Sequence, residues 1–112
     1  MKGGAHMVSS EVLRGCTELM ILRVLLDSDS YGYEISKSIT ELSKSDFVMK
    51  ETTLYSAFKR LEKGGYVTSY PGTRTGGKPR TYLHITTEGR TYYHDKCSEW
   101  NDTKILVDQF IR

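Results

Sequence analysis

The sequence predicts a mainly α-helical chain with one small β-hairpin, and three observations carry that reading. Apolar residues recur at helical spacing in four stretches, the interval from Tyr66 to Ile85 alternates with a period of two around a Gly- and Pro-rich middle, and polar turn-forming runs separate the stretches. At 112 residues the chain has the length of one domain, enough for a single core that would profit from a partner chain. Its 38% hydrophobic and 27% charged residues place it among globular domains rather than disordered or membrane proteins.

Taken in order, Met1 to His6 read as an expression-tag remnant before a native start at Met7. Ser9 or Ser10 then caps a first helix with a wide apolar arc formed by Val12, Leu13, Cys16, Leu19, Met20, Leu22, Val24, Leu25 and Leu26. A helix apolar around most of its girth is expected to be buried on two sides. The run Asp27 to Ser30 breaks it, and Ser30 is placed to cap a second, amphipathic helix carrying Tyr31, Ile35, Ile39 and Leu42. Ser43 to Asp46 form a loop, after which Phe47, Val48 and Met49 return toward the core.

A third helix begins near Glu51, with Leu54, Ala57, Phe58 and Leu61 as its buried stripe and a polar, long-armed opposite face. Gly64 and Gly65 stop it, since either can take the left-handed conformation that closes a helix. In the hairpin that follows, Leu83 and Ile85 share one face and are the better core residues, while Tyr82 and His84 share the other. Thr86 or Thr87 caps a last helix in which Tyr93, Cys97, Trp100, Val107 and Phe110 or Ile111 recur at near-heptad intervals, interrupted by Lys104. So much apolar surface on a terminal helix points to packing against a second chain.

Charge is distributed unevenly. Between Lys50 and Arg80 seven basic residues (Lys50, Lys59, Arg60, Lys63, Arg74, Lys78 and Arg80) stand against Glu51 and Glu62, a balance of +5 in a chain whose net charge is +2. From residue 86 to 112 four basic side chains meet five acidic ones. A polar helix followed by a basic, Gly-rich hairpin is the layout of a winged DNA-reading element. Enzyme chemistry is not expected: His84 and His94 sit beside no nucleophile, and no phosphate-binding Gly motif, carboxylate pair or Ser/His/Asp arrangement is present. Cys16 and Cys97 read as free thiols in a reducing cytosol, with neither metal-ligand spacing nor a cofactor motif. With no signal peptide and no membrane-length apolar run, a cytoplasmic location is expected.

Three blocks, in this order and spacing, carry a family resemblance: Gly32-Tyr33-Glu34-Ile35; Thr53-Leu54-Tyr55 followed by the run Arg60 to Val67; and Gly77-Lys78-Pro79-Arg80-Thr81-Tyr82 leading to Ile85-Thr86-Thr87-Glu88-Gly89. The chain resembles the PadR family of bacterial transcriptional regulators, in its short subfamily with a single C-terminal helix, over about residues 9 to 112. The resemblance implies a winged helix-turn-helix DNA-binding domain over 7–85 and a C-terminal dimerisation helix over 86–112. It implies a homodimer on a double-stranded, pseudo-palindromic DNA operator, acting as a repressor. Lys50, Thr52, Thr53, Tyr55, Ser56 and Lys59 would then meet base edges and phosphates from the third helix, and Arg74, Lys78 and Arg80 phosphates from the wing.

Trp100 matches the position at which multidrug-binding members of this subfamily place an indole across the dimer axis. That implies a planar aromatic or cationic effector between two such indoles, lined by Leu13, Cys16 and Met20 opposite Tyr93, Cys97, Trp100 and Val107, with Asp95, Glu99 or Asp102 attracting the cation. Two other readings stay open: a DNA-binding regulator with no small-molecule effector, in which Trp100 fills the dimer core, and a winged-helix module that binds protein.

Overall fold

The computed structural model describes residues 10–45, 47–73 and 77–112, leaving aside the side chain of Ser10. The 1–6 remnant and the Ser9 cap fall outside them, as does the Ser10 cap. The chain is mostly helical (64%) with a small antiparallel sheet. Helix α1 (Ser10–Leu13) leads through a 3-10 turn (Arg14–Cys16) into α2 (Thr17–Asp27), strand β1 (Ser30–Tyr31) and helix α3 (Gly32–Leu42). Helix α4 (Glu51–Lys63), strands β2 (Val67–Gly72) and β3 (Arg80–Ile85), and helix α5 (Thr87–Asp108) complete it.

The expected first helix is therefore two helices joined by a tighter turn. Gly15 lies within that turn, where a residue of poor helix propensity weakens the run, and the Thr17 hydroxyl bonds back to the Leu13 carbonyl at 3.5 Å. Beyond it α2 is the central element of the fold. Ile21, Leu22, Val24 and Leu25 are buried, packing with Ile35 and Ile39 of α3, Leu54, Ala57, Phe58 and Leu61 of α4, and Val67, Leu83 and Ile85 of the sheet. Met49 joins them, so the segment after the loop does return to the core, although Val48 stays exposed.

Ser30 does not cap α3, contrary to expectation. It is in β1, paired with Leu83, and its hydroxyl donates to Glu34 Oε1 at 2.6 Å, while the capping position belongs to Tyr31 with no side-chain bond. The hairpin is accordingly the larger part of a three-stranded sheet ordered β1-β3-β2. Leu83 and Ile85 face the core as expected. Tyr82, on the other face, is just as buried at 2% exposure, because Tyr31 meets its ring edge-on at 5.4 Å and Tyr70 stacks on it at 5.7 Å. The wing root thus has an aromatic layer of its own.

Helix α4 closes in a Schellman motif: Gly65 N donates to Glu62 O at 3.0 Å and Tyr66 N to Leu61 O at 2.9 Å, with Gly65 at φ 81°. Of the two glycines, Gly65 takes the left-handed conformation, where a Cβ would be strained. The start of α5 locks onto this end. Thr86, as its N-cap, accepts from Gly89 N at 2.9 Å, donates through the same hydroxyl to Gly65 O at 2.8 Å, and donates its own N–H to Tyr66 O at 3.1 Å. Tyr66 then stacks on Tyr92 of α5 with ring centroids 3.9 Å apart.

Gly89 is buried in this joint, and a Cβ there would run into the Tyr66 carbonyl. Gly89→Ala should therefore destabilise the chain by about 2–3 kcal/mol, the cost of overpacking a rigid site. Urea unfolding followed by far-UV circular dichroism measures it, and an unchanged midpoint would show that the joint yields.

Candidate nucleic-acid interface

The side of α4 away from the core presents Thr52, Thr53, Ser56 and Lys59, all exposed, with Lys50 exposed just before the first turn. Residues 52, 56 and 59 follow the helical repeat, so three short or flexible polar side chains share a face. Tyr55 borders it at 47% exposure, its ring edge-on to Phe58 at 5.2 Å and its hydroxyl end against Gly32. The Tyr55 ring is therefore a packed shoulder of the face.

Beside it runs a groove of about 490 Å³, lined by Tyr55, Phe58 and Lys59 from α4, Tyr31, Gly32 and Tyr33 from the β1–α3 corner, and Pro79, Arg80 and Thr81 from the wing root, among others. The fold thus brings Tyr55, Lys59 and Arg80, which are 21 to 25 residues apart in pairs that cross the wing, onto one surface. Arg80 is half-buried, its guanidinium 5.1 Å from the centre of the Tyr31 ring, and its Nε is buried with no hydrogen-bond partner among the described residues. Only its outer nitrogens can face a ligand without a rotation of the side chain. Lys78 is exposed in the wing, and Arg74 lies outside the described residues.

Two groove residues escaped the sequence reading. Tyr31 was assigned to the core stripe of a helix, and Tyr33, 69% exposed, was passed over although it sits in the Gly32-Tyr33-Glu34-Ile35 block. An aromatic ring forced to the surface beside a buried glycine was the available signal.

The basic balance of the segment is smaller at this surface than in the sequence. Arg60 turns away from the exposed face and donates through Nε to Glu18 Oε2 of α2 at 3.0 Å. The second oxygen of Glu18 accepts from the Tyr92 hydroxyl at 2.7 Å. Burial, with help from this bond, raises the Tyr92 pKa above the usual phenol value, so the ring remains a donor across the physiological range.

The second expected set divides. Leu13, Cys16 and Met20 are half-buried, as are Tyr93 and Cys97, and Met20 and Tyr93 both pack on the rim of the core. Burial raises the Cys16 thiol pKa, with the Lys96 charge opposing it, and burial followed by a bond with Cys97 raises Tyr93. Trp100, 42% exposed, and Val107 stand in the outer half of α5, where Ile105 and Leu106 are exposed too, as are Phe110 and Ile111 just beyond its end. Asp95, Glu99 and Asp102 line a shallow recess along α5 with Ser98, Thr103 and Leu106. At 3.6 residues per turn this acidic strip lies roughly 140° around the helix from Trp100. Within one chain these carboxylates do not flank the indole.

Among the described residues no helix is long and apolar enough to cross a membrane. A transcriptional regulator from Clostridium thermocellum is similar in structure with a TM-score of 0.86, at 51% identity over 95% of this chain and 100% of that one. A PadR family transcription regulator from a hypervirulent Clostridium difficile superposes with a TM-score of 0.72, at 35% identity over 86% of this chain and 98% of its own. An uncharacterised protein of Lysinibacillus sphaericus is 40% identical over 105 residues, 94% of this chain and 96% of the relative. Residues 21–95, which hold the α4 face, the groove and the Thr86 joint, match the model of the transcriptional regulator PadR-like family, and the chain belongs to that family of DNA-binding, non-enzymatic regulators.

Proposed function

We propose that the chain is a cytoplasmic homodimeric repressor that binds a pseudo-palindromic operator, with residues 7–85 reading DNA and residues 86–112 holding the dimer. The observation that carries this reading is the continuous surface formed by the polar face of α4, the groove and the wing root. In it Thr52, Thr53 and Ser56 approach base edges from the major groove, Lys50 and Lys59 meet the flanking phosphates, and Tyr55 buttresses the approach. Lys78, Arg80 and Arg74 serve the backbone beyond. The exposed apolar side chains of outer α5 and of the residues just past its end, from Trp100 to Ile111, support the dimer, since among the described residues they have no cover from their own chain. Half-sites then lie about one helical turn apart or a multiple of it.

A planar aromatic or cationic effector would sit between the two copies of Trp100, with Leu13, Cys16, Met20, Tyr93, Cys97 and Val107 around it, and would act by binding the two dimer states unequally. The placement of the acidic strip away from Trp100 favours a second reading, in which the indole fills the dimer core and no small molecule intervenes.

Duplexes enriched by the protein from a randomised library provide the test. If a dimer neutralises about 6 to 10 phosphates, affinity should fall by ~10³ or more between 50 and 200 mM salt, and Lys59→Ala should weaken binding across sequences and flatten the salt slope. Salt-independent binding, or no duplex binding at all, would overturn the reading.

Trp100 separates the two versions of the regulator. A panel of planar cationic dyes titrated against the dimer should quench its emission and release the selected duplex if the effector site exists. Unchanged emission across the panel would leave the indole a structural residue.

A further inference from the structure

Glu18 is the one acidic side chain of α2's first turn, and its two carboxylate oxygens serve two different helices. Oε2 takes Arg60 Nε of α4 at 3.0 Å and Oε1 takes the Tyr92 hydroxyl of α5 at 2.7 Å. The Glu18 side chain is only 17% exposed, and its bond to Tyr92 is partly shielded from water, while the Arg60 side of the pair is open to solvent. We infer that Glu18 is a positioning residue that sets the angle between α4 and α5, and through it the separation of the two reading helices in the dimer; the inference rests on the dimeric reading proposed above.

The surroundings make this linkage stiff. Tyr92 cannot swing away freely, because its ring stacks on Tyr66 at 3.9 Å and 11° and Lys96 Nζ stands 5.4 Å from the ring centre. Tyr66 in turn is held by the closing bond of α4 to Leu61 O. Helix α4 is thereby fastened at Arg60, one turn before its end, and at Tyr66, just past it. Because Leu54, Ala57 and Phe58 pack on α2 and α3, the part of α4 N-terminal of Arg60 turns with that body as one lever about those fastenings.

From Arg60 to Thr52 that lever is about 12 Å at 1.5 Å per residue, so a pivot of roughly 10° moves its tip by about 2 Å. The rise per base pair along one DNA strand is about 3.4 Å. A loosened pivot therefore blurs the register between half-sites by a sizeable part of one base pair in each protomer. It leaves the side chains that read a single half-site untouched.

Tyr92→Phe removes the α5 bond while keeping the ring stack, and Glu18→Ala removes the acceptor of both Arg60 and Tyr92. The probes are duplexes carrying two copies of the half-site enriched by the wild type, their spacing changed one base pair at a time around the optimum, and a duplex with a single half-site. The wild type should lose about tenfold in affinity one base pair from the optimum. Both variants should flatten that contrast to about twofold, with single half-site affinity held within twofold. Should Glu18→Ala fail to fold, Tyr92→Phe decides the question.

A variant that melts at a lower temperature yet keeps the wild-type spacing profile would overturn the inference and leave Glu18 structural. Wild-type protein that shows no preference for paired half-sites would overturn the dimeric reading, and this inference with it.

Discussion

One threonine hydroxyl holds the architecture together at its busiest point. Thr86 Oγ1 accepts from Gly89 N and donates to Gly65 O, while the Thr86 amide donates to Tyr66 O. The end of α4, the end of β3 and the start of α5 meet there, and each supplies a backbone group that would otherwise lack a partner at a helix terminus. Helices α4 and α5 are thus joined through hydrogen bonds of fixed direction as well as through packing. Remove the joint and the wing, which enters and leaves beside it, loses its reference to both.

Electrostatics divides the basic segment by task. Lys50, Lys59 and Lys78 are exposed, whereas Arg60 is spent on Glu18 and Arg80 is laid over Tyr31. Arginine suits both internal duties, because its planar group hydrogen-bonds in a fixed direction and stacks on a ring, while a lysine ammonium is better hydrated and better left at the surface. The +5 balance is therefore an upper bound on the charge this face can bring to an anion. Among the described residues of this segment, the two arginines are engaged by Glu18 and Tyr31 and the lysines face solvent.

Much of the fold was legible because its signals are local. The Ile35–Ile39 part of the α3 stripe, whose expected end Leu42 is exposed, the α4 stripe, the Gly64-Gly65 stop, the Leu83–Ile85 face and the Thr86 cap each depend on residues within a few positions of one another. The failures are of the other kind. Strand β1 spans two residues, too few to show a period, and exists because Ser30 and Tyr31 lie beside Leu83 and Tyr82. The diversion of Arg60 depends on a residue 42 positions away, and the role of Tyr92 on one 74 away. Of the candidate surface, the α4 face could be read from its polar spacing, but the groove could not, since Tyr31 and Tyr33 join it only once the β1–α3 corner is packed under Tyr55.

The order of the sheet has a consequence for the rim of the wing. Strand β3 is paired along its whole length with β2 and, at Tyr82 and Leu83, with β1 on its other side, so its centre is taken up in the ladder. The edge of β2 is open, yet it carries Pro71, which has no N–H to offer an incoming strand, and it ends one residue later at Gly72. Strand addition, the commonest unspecific way for small β-structures to aggregate, is disfavoured at this rim. The wing root therefore offers no ready strand edge through which copies of the chain could adhere.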